Sequence, residues 1–373
     1  MNLVGQSAII SPVMNLSKTT GWSVMPCLAV GSLALSLSAS AETVNPFAVA
    51  EGFNIVVEHD FDLKSGHPEG AVAVGGNFSF QGGTQVSQMY AGSYVVPGET
   101  KGTGLIVGGS VNFPQGGQLN VGNHANVYIG GGSYNVHDWN SGETVINNSP
   151  NKDAYGRIIT GTDQTAASIG RSTGFDFAKV SASFHQSSSE MAALAPTATG
   201  TTLGLNGPNK INPSGLGLHS GLNVIDLTGT QLNNIQNINW GGNMMPGANS
   251  TVIFNIDVQG ASSFTLGSIA MGLQESQNAS YVLFNFFNLS GDLILAGNEI
   301  IGSILAPDAH IKKYSDPKGQ IFAEDFVFNG GEVHYWENKV TYTRTVSVPD
   351  VSSLWAEASA LVGLIGLYRR SSK

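Results

Sequence analysis

The residues best suited to chemistry are a few acids and histidines set among strand-forming residues. Asp308 and Asp325 hold matching places in two phrases, Gly302-Ser303-Ile304-Leu305-Ala306-Pro307-Asp308-Ala309-His310-Ile311 and Gly319-Gln320-Ile321-Phe322-Ala323-Glu324-Asp325-Phe326-Val327-Phe328. If successive coils stack these phrases, the two carboxylates lie close in space, with Lys312 and Lys313 nearby. Glycosidases and polysaccharide lyases use acids at a defined separation, or acids facing a Lys or Arg across a groove. The plainer reading is a surface ladder of loop residues. Glu332 and His334 are two apart, so in a strand their side chains share a face. That arrangement suits an acid/base pair, two metal ligands, or a hydrogen-bonded feature of a last coil. His59 and Asp60, with Asp62 and Glu69, make the densest acidic group beside a histidine. Asp60, Asp62 and Glu69 are carboxylates of the kind that hold Ca²⁺; the bland alternative is a solvated turn. His-Glu-x-x-His and P-loop patterns are absent, and doublets such as Gly75-Gly76 lack dinucleotide-binding spacing and a following helix. No cofactor and no catalytic constellation is expected.

The elements that must position these residues are short strands. Gly70-Ala71-Val72-Ala73-Val74-Gly75-Gly76-Asn77, Leu105-Ile106-Val107-Gly108-Gly109-Ser110 and Val127-Tyr128-Ile129-Gly130-Gly131-Gly132 repeat one theme: β-formers, then a glycine pair. Gly291-Asp292-Leu293-Ile294-Leu295-Ala296 is a looser copy of the two late phrases. Short β repeats suggest a solenoid, with apolar residues stacked inward and the glycine pairs as corners where φ is positive. Ile304 would stack on Ile321, and Leu305 on Phe322. A β-sandwich is the alternative, since its strands are also short and glycine-bounded. Residues 175–194 break the pattern: Phe177, Val180, Phe184, Met191 and Leu194 fall mostly at helical spacing. That helix either covers an open end or packs along a flank. The Asn- and Gly-rich stretch 233–250 reads as a surface loop. The predicted fold is mainly β: an irregular parallel β-helix or solenoid with one packed α-helix. An N-terminal signal helix and a C-terminal hydrophobic helix flank it.

Composition narrows the function classes. Glycine supplies 48 of 373 residues and charged residues only 11%, with a net charge of −10. No basic stripe is available to neutralise phosphates, so nucleic acid is not a partner. Hydrophobic residues make up 41%, which excludes a disordered chain. No regular Thr-x-Thr register, repeated from coil to coil as on a flat face that orders water, is visible. The lone cysteine, Cys27, lies in the apolar N-terminal run, and Ser23-Val24-Met25-Pro26 before it is no lipobox.

Both ends read as export and sorting signals. Lys18 precedes an apolar run from Trp22 to Leu37 that ends in Ala39-Ser40-Ala41, small residues suited to signal peptidase with the cut after Ala41. Met14 competes with Met1 as the start. Residues 1–41 are therefore expected to be a signal peptide, 44–343 a β-rich ectodomain and 348–373 a sorting or anchor segment. The last combines Val348-Pro349-Asp350, a largely apolar stretch from Leu354 to Tyr368, and Arg369-Arg370. This tail resembles the exosortase-recognised PEP-CTERM and VPDSG signals of Gram-negative bacteria, although Val351 replaces the usual small residue. An amphipathic helix packed on the domain is the bland alternative.

The order of the internal landmarks resembles the choice-of-anchor A family of bacterial surface proteins. The likeness rests on Phe53-Asn54-Ile55-Val56, Asp60-Phe61-Asp62-Leu63, Glu69-Gly70-Ala71-Val72-Ala73-Val74-Gly75-Gly76-Asn77, Gly302-Ser303-Ile304-Leu305-Ala306-Pro307-Asp308-Ala309 and Gly331-Glu332-Val333-His334. It implies an adhesive or surface-structural, β-helical module; with the tail's resemblance, the expected location is the cell surface, outer envelope or matrix of a Gram-negative bacterium. It supplies neither a ligand nor catalytic residues. The expected partners are a surface polymer, polysaccharide or protein, a sorting peptidase, and the membrane during export. The function expected is non-enzymatic and adhesive. A carbohydrate-active β-helix enzyme and a passive coat component are its rivals.

Overall fold

The apolar triplets find their hydrogen-bonding partners in one another. Ile55–Val57, Val72–Val74, Thr103–Val107 and Asn126–Ile129 lie side by side in parallel register. The first three therefore give and accept ladder bonds on both sides, and Asn126–Ile129 ends the ladder, which satisfies the backbone without long strands. This computed structural model describes residues 37–349, apart from 141, 214, 241–243 and 298.

Coil order in space is not coil order in sequence. Across the main sheet the strands run Asn126–Ile129, Thr103–Val107, Val72–Val74, Ile55–Val57, Ile321–Val333, Ser303–Lys313, Val282–Phe286, Ser250–Asp257, Gly221–Thr228, Ala198–Thr199. The chain starts in the middle of this ladder and winds out to one end. It crosses back through the helix Phe177–Ala192 and restarts at the other end. The Ile321–Val333 strand then closes the ladder against both Ile55–Val57 and Phe61–Pro68.

A second lateral sheet face carries Phe61–Pro68, Phe78–Phe80 and Val111–Asn112, with the later halves of the two long strands, then Asp292–Leu295 and Ser263–Leu266. Between the faces the inward residues form the core, including Ile55, Val57, Phe61, Phe78, Ile304, Ile321 and Phe326. Phe61 sits edge-on to both Phe78 (5.5 Å) and Phe326 (5.2 Å). The fold is mainly β and parallel, as the repeats predict, and Ile304/Ile321 and Leu305/Phe322 are register neighbours. An antiparallel hairpin, Asn135–Asp138 with Thr144–Asn147, joins a side sheet and makes the solenoid irregular.

The glycine pairs sit at corners for a reason other than handedness. Gly75, Gly108 and Gly130 are not among the glycines with positive φ. They stack on one another: a Cβ on Gly108 would lie 2.4 Å from the Gly75 carbonyl oxygen, and one on Gly130 2.5 Å from that of Gly108. Close backbone approach, not a left-handed turn, requires glycine there.

The helix Phe177–Ala192 starts at Asp176, whose side chain accepts from the Lys179 N–H. It packs along a flank rather than over an end. Val180, Phe184 and Met191 meet an outward row that includes Leu305, Phe322, Val56, Ala73, Ile106 and Tyr128. Phe184 stacks on Phe322 at 4.1 Å. Where the row turns polar, Asn255 and Asn285 bond to each other and to the helix carbonyls of Met191 and Ser188.

The stretch 233–250 is not simply a surface loop. Ile235, Ile238 and Trp240 are buried core residues, held by bridges Ile211↔Ile235 and Asn237↔Ala270. Its polar composition hides alternate inward residues of a coil side. Residues 41–346 form one compact unit. Leu37–Val44, which contains Ala39 and Ala41, pairs with Tyr342–Pro349, which contains Val348 and Pro349. The signal run before Leu37, Asp350 and the hydrophobic tail lie outside the described residues. Among the described residues no helix is long and apolar enough to cross a membrane.

Candidate functional site

The second face is open. Its outward row reads Thr265, Ile294, Lys312, Val327, Asp62, Ser79, Asn112, each facing the next across a parallel ladder. None of the seven is buried. They are seven different residue types, with a single threonine among them. One end of the row is concave: a groove of about 640 Å³ is lined by Asp62, Ser79, Asn112 and Val327, with Asn77 and Ser110 along its edge.

That edge is a ladder of side-chain caps. Asp325 Oδ1 accepts from the Asp60 N–H (2.9 Å), Asp60 Oδ1 from the Asn77 N–H (2.7 Å), and Asn77 Oδ1 from the Ser110 N–H (3.1 Å) and Oγ (2.7 Å). Each coil thus satisfies a corner donor of the next. Asp60 is engaged in this cap, and Asp62 accepts from Ser79 Oγ at 2.7 Å. Asn77 and Ser110 were not singled out in the sequence. Their shared position directly after a glycine pair is the signal that marks them.

The structure does not place Asp308 over Asp325. Ala306 pairs with Ala323 but His310 with Asp325, because the earlier strand carries two extra residues in a bulge. Asp308 instead lies 3.5 Å from His185 of the helix, and Asp325 3.3 Å from His310. Lys312 pairs with Asp292 at 2.6 Å. Lys313 points inward, fully buried over the Phe328 ring, donating to the Gly330 carbonyl and 3.6 Å from Asp316. Burial lowers its ammonium pKa to about 8, a drop that Asp316 only partly offsets.

Two histidine–carboxylate clusters flank the closure of the ladder. On the rim, Glu324 approaches His59 (3.6 Å) and His310 (3.3 Å). His185 also bonds Glu58 at 3.2 Å. Burial pushes the Glu58 carboxyl up, but hydrogen bonds from Ser181 and His185 and the His185 and His59 charges outweigh it and hold the pKa below its ordinary value. At the far end of the closing strand, Glu332 and His334 do come together, at 3.1 Å. Glu69 joins them, 3.2 Å from His334 Nδ1, and so parts from Asp60 and Asp62. His67 and Glu275 complete this cluster, 2.7 Å from Glu332 and 3.0 Å from His334. Those two are far apart in sequence and carried no signal of their own. Beside them, burial, with Glu337 and Tyr90 adding to it, pushes the Tyr335 hydroxyl up to about 12.

A family model for an ice-binding-like adhesive domain matches residues 46–335. No curated protein matches the chain. Among solved structures, a glycosylated ice-binding protein from an Arctic yeast is 13% identical, with 78% of this chain and 92% of that one covered at a TM-score of 0.34. An ice-binding protein from an Antarctic biological consortium is 12% identical, covering 78% and 89% at a TM-score of 0.27. Those likenesses are loose, and the solenoid stands on the strand ladders above. The family match spans the first coil, the helix and the closing strand alike, and the chain belongs to the family of ice-binding-like adhesive domains.

Proposed function

We propose that this chain is a non-enzymatic surface adhesin whose open face binds an extended, hydroxyl-rich polymer, foremost a polysaccharide. The carrying observation is the groove on the uncovered face, where Asp62, Ser79, Asn112, Asn77 and Ser110 present amide, hydroxyl and carboxylate groups to solvent beside Val327. Recognition there would use many hydrogen bonds along an extended, varied surface rather than an enclosed pocket. The engagement of Asp60 and Asp325 in corner caps, and the separation of Asp308 from Asp325, argue against a paired-acid hydrolase. Export through residues 1–41 and sorting through Val348, Pro349 and Asp350 belong to the same reading and rest on their sequence.

The test exposes the purified full chain to a panel of polysaccharides, collagen and ice. The proposal expects saturable binding to a glycan with no release of sugar. Turnover abolished by Asp308→Ala or Asp325→Ala would replace it with the enzyme reading. Thermal hysteresis without glycan binding would make ice the ligand instead, against a row in which no two outward residues are alike.

A further inference from the structure

The cluster at the far end of the closing strand brings three carboxylates and two imidazoles together. His334 Nδ1 lies 3.2 Å from Glu69 Oε1 and 3.0 Å from Glu275 Oε1, while its Nε2 lies 3.1 Å from Glu332 Oε2. The other oxygen of Glu332 is 2.7 Å from His67 Nε2. Glu275 Oε1 also accepts from the Trp336 indole N–H (2.8 Å) and Glu69 Oε2 from the Tyr335 N–H (3.1 Å), so these donors hold the carboxylates in place around His334. The nearest ammonium, on Lys318, reaches Glu275 (3.5 Å) and Glu299 (3.7 Å), at the edge of the group.

We propose that Glu69, Glu332 and His334, with His67 or Glu275 as a fourth ligand, bind a divalent transition-metal cation of the Zn²⁺ class. One ligand atom from each of the first three lies within 4.8 Å of the others. Tetrahedral Zn²⁺ with bonds of about 2.1 Å sets its ligand atoms about 3.4 Å apart, so small side-chain rotations close the site. Mixed imidazole and carboxylate donors suit Zn²⁺ better than Ca²⁺, which takes oxygen alone. The ligands are half-buried, and they come from segments that meet only in the fold. His67 and Glu69 lie at the end of the first long strand, Glu332 and His334 at the end of the closing strand. The ion would clamp the last coil to the first at the ladder's closure. This inference is independent of the adhesive reading.

Isothermal titration of Zn²⁺ into chelator-treated, tag-free full chain tests it. The expected result is one site with a Kd of about 1 µM or tighter and a higher melting temperature with metal. His334→Ala should weaken binding by at least the roughly 10–100-fold typical of lost metal-site partners. Glu332→Gln, which keeps the side chain's size, should do the same and serves where His334→Ala does not fold. His310→Ala on the rim should leave binding unchanged. Absence of binding, indifference to both cluster variants, or loss with His310→Ala instead would overturn the proposal.

Discussion

Two lateral faces of one solenoid are built by the same strands and meet opposite fates. On the helix side, Leu305 and Phe322 project outward and are fully covered. A few residues on, the same two strands project Lys312 and Val327, which stay partly exposed. The first face is apolar and has its partner within the chain, the helix Phe177–Ala192. The second mixes polar residues with Ile294 and Val327, and among the described residues no helix covers it. In this molecule the backbone ladder is scaffold on both sides, and only the outward row decides whether a face is core or is left to the outside world.

The largest effect that could break this contrast is on the covered side. Phe322→Ala removes the ring on which Phe184 stacks at 4.1 Å and should cost about 3–5 kcal/mol in denaturant unfolding. A loss below about 1 kcal/mol would mean the helix is held by something other than that row.

Lys313 sharpens the contrast from inside the open-face half. Its folded-state pKa is about 8, below the ordinary lysine value near 10.4 of the unfolded chain. Between those values the unfolded state binds more protons, so stability should rise with pH from about 8 to above 10, by on the order of 3 kcal/mol. Lys313→Met should flatten that rise. A melting profile unchanged by the substitution would assign the rise to other groups.

Corners should respond alike beneath both faces. Gly108→Ala drives a Cβ to 2.4 Å from the Gly75 carbonyl oxygen and should cost roughly 1–3 kcal/mol, although its φ is not positive. Asn77→Ala removes one rung of the cap ladder and should cost about 1 kcal/mol, because the Ser110 N–H loses its acceptor. Chemical denaturation of the two variants checks both, and a neutral Gly108→Ala would contradict the stacked-backbone account of the glycine pairs.

Much of the architecture was legible because it is local. Repeated β-formers before glycine pairs marked the coils, and Phe177, Val180 and Phe184 marked the helix. What depends on coil order was not legible. The equal spacing of Asp308 and Asp325 concealed a bulge that only the ladder register reveals. Nothing in the sequence shows that residues near 67 and 332 meet, because the closing strand pairs with the first coil across the length of the chain. Ile235, Ile238 and Trp240 were hidden by their Asn- and Gly-rich neighbours, since composition averages over the alternation that sends single residues inward. The glycine pairs were placed correctly but for the wrong reason: proximity to the next coil, not left-handed φ, excludes a side chain.

The central claim is that the uncovered face is the binding face, and one comparison tests it most directly. Asn112→Arg places a long cation in the groove, whereas Ser189→Arg places one on the solvent side of the helix. Affinity of each full-length variant for the glycan bound by the parent chain should fall at least about tenfold, or about 1.4 kcal/mol, for Asn112→Arg alone. Equal affinities for the two variants, or a loss confined to Ser189→Arg, would contradict the account.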